Sequence, residues 1–580
     1  TGLAHYARIN DLRSEDGIQT IKTFMVDTAE YKSSAPQEQA NPLWLAAKFG
    51  GFEDNDGDDD PNSNSLEWDA DGDGVPDTYT VANQPDNLIK GLNAAFAEFG
   101  KGSASSSAAA VVSNSAGGTG AIYQALYEPR VSGEGAGEIV DWTGTVISFF
   151  VDEQSRFRED CLWNSGANSC AGEGNKILED TDPEIKFRVK AEAGEEKVVV
   201  YDRYSAVTGN AISTDHSFKE MGVIFDAAKS LSNLDDSKIA TQRSFSTLAT
   251  EGRHILTSLD GQNMVAFDST TFETLDTTDS TPDPRRLLGI DSTTEFEPLT
   301  SVDLGEALVN FIRGQDQTIA GWRSRKITEE VTTNAGTTTE VSIRRMGDII
   351  NSAPVVVGRP DGDFNTRYSD PEYAFFSKRY ADRRQVAYVG ANDGMLHAFN
   401  AGFYGSTISS QPKPTFATSP EDLSTGAGPA VAVTRHPLGS EIWSYVPHNL
   451  LPHLQWLKEL EYPHVYYMDG DVQSFDANIF SDCNGAVDTC THPYGWGTIL
   501  VATMRFGGGE ITVNTHSDDP TDGSKTMRSA VVVLDVTDPE QPPKLIAEIT
   551  HDQLGYTTSK PIIYKRRVAD AAGNVGGVTD

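Results

Sequence analysis

The feature that most constrains the fold is a pattern of two apolar runs joined by Asp-Gly. One copy spans residues 255–268 around Asp260-Gly261, and a second spans residues 386–400 around Asp393-Gly394. Glycine accepts the positive φ that a tight turn between antiparallel strands requires. Each copy therefore predicts a β-hairpin, and the apolar run at 441–446 predicts a third strand after the second hairpin.

A related set of apolar runs, at residues 498–503, 530–536 and 544–549, follows near the end of the chain. Repeated antiparallel units of three or four strands, marked by Trp or Gly-Trp, are typical of β-propeller blades. Because the spacing is irregular, the pattern predicts a decorated propeller with long insertions. A plain β-sandwich with accidental similarity between its strands is the alternative.

The start of the chain has a different pattern, because helical and extended runs alternate there. Apolar residues at helical spacing predict helices over residues 3–12, 42–49 and 88–96, and residues 21–26 alternate as a strand does. This alternation predicts an α/β part in a chain that is otherwise mainly β.

Residues 102–118 are rich in Ser, Ala and Gly, which favours a linker or a loose loop. The chain has 580 residues, which fits two to four domains. The expected domains are 1–120 with an acidic loop and the linker, 121–340 as a β-rich region with insertions, and 341–580 as propeller blades.

The charge balance restricts the class of partner. The chain has 85 acidic and 46 basic residues, a formal net charge of −39. This argues against nucleic acid and against an anionic membrane surface, and it favours divalent cations. The sequence shows no membrane-spanning run and no signal peptide at Thr1, and it reads as an internal piece of a longer protein.

The acidic residues form one loop pattern that predicts calcium binding. In residues 69–77, carboxylates occupy loop positions 1, 3, 5 and 9, and glycine occupies position 6, where a sharp turn is needed. Oxygen ligands in this spacing suit Ca²⁺. Position 12 is Thr80 instead of a bidentate Glu, so Glu67 is a candidate for the missing ligand and the ion is expected to act as a structural clamp. The predicted ligands are Asp69, Asp71, Asp73, the main-chain carbonyl of Val75, and Asp77.

A second acidic run lies just upstream and also has a carboxylate at every other position. It could form another calcium site or supply ligands to the first, and a flexible acidic loop is the alternative. No Lys or Arg occurs between Lys48 and Lys90, so these carboxylates would repel one another without a cation. The residues of this run are Asp54, Asp56, Asp58 and Asp60.

Four cysteines form two local couples, Cys161 with Cys170 and Cys483 with Cys490. No complete tetrahedral metal set accompanies them. We predict that each couple forms a disulfide that closes a short loop. Disulfides imply that the protein is located in the periplasm or outside the cell. Four free thiols are the alternative.

No hydrolase motif, zinc-protease motif or phosphate-binding loop is present. His397 lies inside a predicted strand and is expected to pack there. The other notable histidines, His448, His453, His464 and His492, are interpreted as structural. No catalytic residue is predicted.

Several stretches together resemble the PilY (PilC/PilY) family of type IV pilus biogenesis proteins, and the Asn-Asp-Gly-Met-Leu-His-Ala-Phe block is the most specific. The similar stretches are residues 44–49, 68–79, 142–144, 311–314, 346–355, 388–400, 441–447, 464–470, 495–497 and 534–539.

The resemblance implies the end of a von Willebrand A-like domain followed by a quinoprotein-like β-propeller that is incomplete at the C-terminus of this chain. It also implies an extracellular protein of the pilus tip or cell surface, exported through the periplasm. Such proteins act with minor pilins, oppose pilus retraction, and support adhesion to host or abiotic surfaces and surface sensing. The family's own metal loops, upstream in the von Willebrand A-like domain and late in the propeller, are not carried over to residues of this chain.

Two other functions fit parts of the pattern. Propellers of this type resemble those of quinoprotein dehydrogenases, but such enzymes place a disulfide of adjacent cysteines against the quinone, and no cysteines are adjacent here. A calcium-dependent adhesin unrelated to pili is the third possibility. The prediction is a calcium-binding pilus factor that is not an enzyme.

Overall fold

The computed structural model describes most of the chain. The described residues are 2–10, 20–27, 41–54, 58–69, 72, 74–81, 105–106, 110–113, 120–135, 138–154, 156–164, 169–191, 197–216, 220–272, 284–289, 304–333, 336–406, 414–417, 435–481, 490–515, 523–562, 566–569 and 575–579. The chain divides into two compact units, one of residues 1–103 with 191–198, and one of residues 104–190 with 199–580. The expected domain boundaries near residues 120 and 340 stay predictions.

The described residues of the first unit form two helices and two short strands. Its elements are α1 (Gly2–Ile9), β1 (Met25–Asp27), α2 (Pro42–Gly51), a 3-10 turn (Ser65–Glu67) and β2 (Tyr79–Val81). β1 and β2 pair in parallel, with Met25 opposite Tyr79. The prediction of a helix over 42–49 is confirmed, whereas the predicted helix over 88–96 lies outside the described residues.

The sequence around α2 explains where this helix begins. The Asn41 side chain accepts hydrogen bonds from the backbone N–H of Leu43 (2.9 Å) and of Trp44 (3.4 Å). Pro42 occupies the first helical position, where a missing N–H costs nothing. The helix then packs Trp44 and Ala47 against Tyr79.

The second unit contains the remaining elements. Its strands are β3 (Ser105–Ser106), β4 (Ala110–Ser113), β5 (Gly120–Ser132), β6 (Ile139–Val151), β7 (Phe157–Arg158), β8 (Cys161–Asn164), β9 (Ser169–Glu173), β10 (Glu184–Ala191), β11 (Lys197–Tyr204), β12 (Ala211–His216), β13 (Phe225–Asp226), β14 (Ile255–Ser258), β15 (Met264–Ala266), β16 (Lys326–Thr333), β17 (Gly336–Ile343), β18 (Val355–Val357), β19 (Gln385–Gly390), β20 (Leu396–Ser406), β21 (Pro414–Ala417), β22 (Glu441–Val446), β23 (Val472–Asn478), β24 (Trp496–Thr503), β25 (Ile511–Asn514), β26 (Ser524–Met527), β27 (Val531–Asp535), β28 (Lys544–Ile549), β29 (Arg566–Ala569) and β30 (Val575–Thr579). Its helices are α3 (Ala227–Ser232), α4 (Asp236–Ile239), α5 (Leu304–Arg313), α6 (Phe364–Arg367) and α7 (Pro371–Arg379), with 3-10 segments at Ala249–Glu251, Pro284–Leu288, His448–Lys458 and Pro493–Gly495.

A nine-stranded sheet is built around the long hairpin of β5 and β6. The order is β12-β11-β10-β7-β6-β5-β3, with β13 on β6 and β4 on β5. The interpretation of residues 102–118 as a linker is therefore wrong in part, because β3 and β4 pair with β5. The Ser, Ala and Gly composition predicted a loop. The edge of β5 nevertheless offers main-chain hydrogen-bonding groups to β3 and β4, and pairing with them does not depend on the side chains.

Both predicted Asp-Gly hairpins are present. β14 pairs with β15, and β19 pairs with β20, each antiparallel, and Gly261 (φ 77°) and Gly394 (φ 91°) take the positive φ in the turns. The predicted third strand is β22, antiparallel to β20. The two hairpins lie in one sheet, of order β15-β14-β22-β20-β19-β18, because β14 pairs in parallel with β22.

The later set of strands forms a four-stranded antiparallel sheet of order β23-β24-β27-β28. The protein is thus mainly β, as predicted, with several sheets, and none of those seen among the described residues closes on itself. Every residue of β19 and of β22 is buried, which fits their nearly continuous apolar runs. One core joins the two sheets and α5, through residues such as Ile255, Phe311, Tyr388, Leu500 and Val532.

In the part of the chain that the structure describes, no helix combines the length and the hydrophobicity needed to cross a membrane.

Candidate functional site

The acidic segment of the first unit is folded back on itself by main-chain hydrogen bonds. Glu53 N–H donates to the carbonyl of Glu67 (2.7 Å), and Asp77 N–H donates to the carbonyl of Trp68 (2.8 Å). The Trp68 ring packs edge-on against Trp44 of α2, with 5.5 Å between ring centroids. These contacts anchor both ends of the acidic loop.

Three carboxylates meet as a result. One oxygen atom from each of Asp54, Asp58 and Glu67 lies within 4.8 Å of the other two. Glu67 is only 2% exposed. Carboxylates at this separation repel one another, and a divalent cation would turn the repulsion into attraction. Carboxylate oxygens are the donors that Ca²⁺ prefers, so the donor chemistry fits the predicted ion.

The predicted calcium ligands differ in their burial and in their hydrogen bonds, and some of them lie outside the described residues. Asp69 is nearly buried, and its Oδ2 accepts a hydrogen bond from Gly74 N–H (2.9 Å), within the predicted loop. Asp60 accepts bonds from the main chain and side chain of Asn62. Val75 and Asp77 are described, while Asp56, Asp71 and Asp73 lie outside the described residues. Glu67, the candidate for an extra ligand, lies with the upstream acidic run.

Of the four cysteines, Cys161 and Cys490 have described side chains. Both are buried, and neither is a free thiol. The side chains of Cys170 and Cys483 lie outside the described residues, so the two pairings stay predictions.

The second unit contains a buried charged network that the sequence did not reveal. Arg253 donates two hydrogen bonds to the Glu441 carboxylate, from Nε (2.8 Å) and Nη2 (2.7 Å). His397 Nδ1 lies 2.8 Å from Glu441 Oε1, and its Nε2 lies 3.1 Å from both oxygens of Asp393. The His397 side chain is fully buried. Bidentate and charge-assisted contacts of this kind satisfy charges that would otherwise be costly to bury.

The network shifts the pKa of its members. Burial alone would lower the pKa of His397, but Asp393 and Glu441 outweigh burial and raise that pKa to about 9. Burial would raise the pKa of Glu441, yet Arg253 and His397 hold it far below its usual range. His397 is therefore a buried cation held by two carboxylates. Its burial and its two engaged ring nitrogens suit a structural role, as the sequence predicted.

A second hydrogen-bond network connects three of the stretches that resemble the PilY family in sequence. Asp348 Oδ2 accepts hydrogen bonds from Asn392 Nδ2 (2.7 Å) and from His464 Nε2 (2.8 Å). Asp469 accepts from the main-chain N–H (2.9 Å) and Nδ2 (2.6 Å) of Asn351. The stretches 346–355, 388–400 and 464–470 thus converge in space through hydrogen bonds to the buried carboxylates of Asp348 and Asp469.

The sequence contains one indication of the first of these networks. His397 and Glu441 are ionisable residues inside runs that are otherwise apolar. A buried ionisable residue requires a partner, so two such residues in neighbouring strands predict a pair.

Comparisons with known proteins show which proteins the chain resembles in sequence. No family model matches the chain, and no solved structure shows a significant match. The chain is 30% identical, over 223 residues, to a "Type IV pilus biogenesis factor PilY1 homolog" of Xylella fastidiosa, a match that covers 38% of the chain and 13% of that protein. It is 27% identical to the "Type IV pilus biogenesis factor PilY1" of Pseudomonas aeruginosa strain PAO1, over 38% of the chain and 14% of that protein.

The protein of the same name from Pseudomonas aeruginosa strain UCBPP-PA14 is 27% identical over 270 residues, which are 45% of the chain and 16% of that protein. Over these segments the chain is similar to PilY1 proteins. The matched segments span less than a fifth of the length of these PilY relatives.

Proposed function

We propose that this chain is part of an extracellular protein of the type IV pilus tip that supports pilus assembly, adhesion and surface sensing. The observation that carries the proposal is the similarity to the PilY relatives, whose names give type IV pilus biogenesis as their role. In this proposal the protein acts with minor pilins and opposes pilus retraction, and its exposed surface meets a host cell or an abiotic surface.

The finer architecture belongs to the same proposal. The first unit is the end of a von Willebrand A-like domain, and the sheets formed by β14–β24, β27 and β28 are blades of a quinoprotein-like propeller. The antiparallel four-stranded sheet and the two Asp-Gly hairpins support this assignment. The role is structural and not enzymatic, which the buried, fully engaged His397 favours.

Location can be tested on pili that are sheared from cells of the natural host. An antibody against the 580-residue chain, detected with gold particles, should label the ends of the filaments. Labelling that is spread along the shafts, or that stays with the cell body, would contradict the proposal.

A calcium clamp in the first unit is the second part of the proposal. The carboxylates of Asp54, Asp58 and Glu67 already lie within bonding reach of one ion, and Asp69 to Asp77 supply further oxygen donors. An ion there would hold the acidic segment against α2 and would rigidify residues 50–80.

Protease sensitivity with and without a chelator tests this clamp. Calcium should protect residues 50–80 from cleavage, and Glu67→Gln together with Asp54→Asn should abolish that protection. Asp59→Asn is the matched control, since Asp59 carries the same charge in the same loop and is not one of the three clustered carboxylates. Equal cleavage of the loop with and without calcium in the wild-type chain would refute the clamp and would leave the pilus role untouched.

A further inference from the structure

A small cavity in the second unit, here called the arginine cavity, is lined by four arginines. Its walls are residues 140–143 of β6, the segments on either side of the β16–β17 hairpin, and the turn between β19 and β20. The volume open to the centre of a water-sized sphere is about 20 Å³, which is room for about one such sphere. The four arginines are Arg323, Arg325, Arg344 and Arg345.

Two of these arginines form no ion pair with any described residue. The Nε of Arg323 donates to the main-chain carbonyl of Leu457 (2.6 Å), and the Nη2 of Arg325 donates to the main-chain carbonyl of Phe311. Burial and the charge of Arg323 lower the pKa of Arg325 to about 9. A buried guanidinium without a counter-charge is costly, so two neighbouring ones favour an added anion.

Two guanidinium N–H groups at the cavity also lack an acceptor. The Nε atoms of Arg325 and Arg344 are both shielded from solvent, and neither has a hydrogen-bond acceptor among the described residues. Arg344 donates instead through Nη2 to the carboxylate of Glu329 (2.5 Å). Nearly all buried donors in proteins are satisfied, and a charged donor left unsatisfied is especially costly. An acceptor from outside the chain would satisfy both groups.

The carboxylates that line the cavity are engaged by other partners. Asp141 accepts from the Nε of Arg130 (2.6 Å), and Asp393 is held by His397 and by the N–H of Gly347 (3.0 Å). The third, Asp348, accepts the hydrogen bonds described above. The positive charges of the two unpaired arginines are therefore not neutralised by these groups, and the missing acceptor should be negative.

We propose that the arginine cavity binds one chloride ion, which accepts hydrogen bonds from the Nε–H groups of Arg325 and Arg344 and is attracted by Arg323. The volume suits a single atom, whereas phosphate and organic acids bring several. Hydrogen bonds from charged donors to an anion are stronger than those between neutral groups. The ion would connect β6 with the hairpin segments and stabilise the second unit, whether or not the chain acts at a pilus.

The test compares thermal unfolding of the full 580-residue chain in sodium chloride and in sodium gluconate. Equal ionic strength in the two series keeps the screening of surface charges the same. The unfolding midpoint should rise with chloride relative to gluconate, because a ligand that binds only the folded state stabilises it. In parallel, the chain should broaden the ³⁵Cl NMR line of chloride, and the broadening should saturate as the site fills.

Arg344→Gln should weaken chloride binding by about tenfold, since it removes one charged donor. The Arg344 side chain is 18% exposed, so this variant should fold even if Arg325→Gln does not. Arg384→Gln is the matched control, because Arg384 also pairs with a single carboxylate, that of Glu540 (2.8 Å), and does not line the cavity. The control should be less stable but should keep the chloride affinity of the wild type.

Three results would overturn the proposal. The first is equal midpoints in chloride and gluconate without line broadening, which would mean that water satisfies the two donors. The second is that Arg384→Gln reduces the chloride effect as much as Arg344→Gln does, which would make the effect a general response of the chain to salt. The third is a chloride affinity that Arg344→Gln leaves unchanged, which would place the ion elsewhere.

Discussion

The stability of the second unit should fall as the pH rises from about 6.5 to about 9, because His397 holds a proton that the unfolded chain releases in this range. His397 is buried between Asp393 and Glu441, which raise its pKa to about 9 although burial alone would lower it. In the unfolded chain the imidazole returns to its ordinary pKa of 6.5.

The sign and size follow from linkage between protonation and folding. A raised folded-state pKa stabilises the protein fully below the unfolded-state value, and this stabilisation is lost as the pH rises through the folded-state value. The interval from 6.5 to about 9 corresponds to about 3 kcal/mol of unfolding free energy.

The assay is urea unfolding at pH 6, 7.5 and 9, followed by tryptophan fluorescence, for the wild type and for His397→Gln. The wild type should lose about 3 kcal/mol across this range, while His397→Gln should be less stable at pH 6 and nearly independent of pH. His453→Gln is the control, because His453 is also buried but burial lowers its pKa, so this histidine cannot cause a loss of stability as the pH rises. Parallel pH profiles for the wild type and His397→Gln would refute the reasoning.

Three further predictions concern stability. Glu441→Gln should cost about 3–5 kcal/mol in urea unfolding, because it leaves the buried Arg253 without a carboxylate, and a loss below 1 kcal/mol would contradict the network. Asn41→Ala should cost about 1 kcal/mol, seen as a lower thermal midpoint for the first unit, since it removes the cap of α2, and an unchanged midpoint would argue against that cap. Gly390→Ala should cost about 1–3 kcal/mol by the same urea assay, because the new Cβ would lie 2.1 Å from the carbonyl oxygen of Met468, and a neutral effect would show that the two segments can separate freely.

Local chemistry made part of the fold predictable. Both Asp-Gly hairpins and the capped helix α2 follow from turn and cap preferences within a few residues. The parallel pairing of β14 with β22 did not follow, because it joins segments far apart in the sequence and no local pattern encodes it. The strands β3 and β4 were missed because main-chain pairing with β5 outweighs their composition.

The candidate site was also partly predictable, because the positions of its carboxylates follow a local spacing in the sequence. The spacing of the carboxylates identified both acidic runs and pointed to Glu67. Which carboxylates meet depends on the main-chain bond between Glu53 and Glu67, a tertiary detail that the spacing does not contain.

The most direct test of the pilus role is a count of surface pili in the natural host after deletion of the gene for this chain. The count should drop sharply, and it should recover when the retraction motor is also removed, because the protein is proposed to support assembly against retraction. Unchanged piliation after the deletion, or pili that stay absent without the motor, would contradict the proposed function.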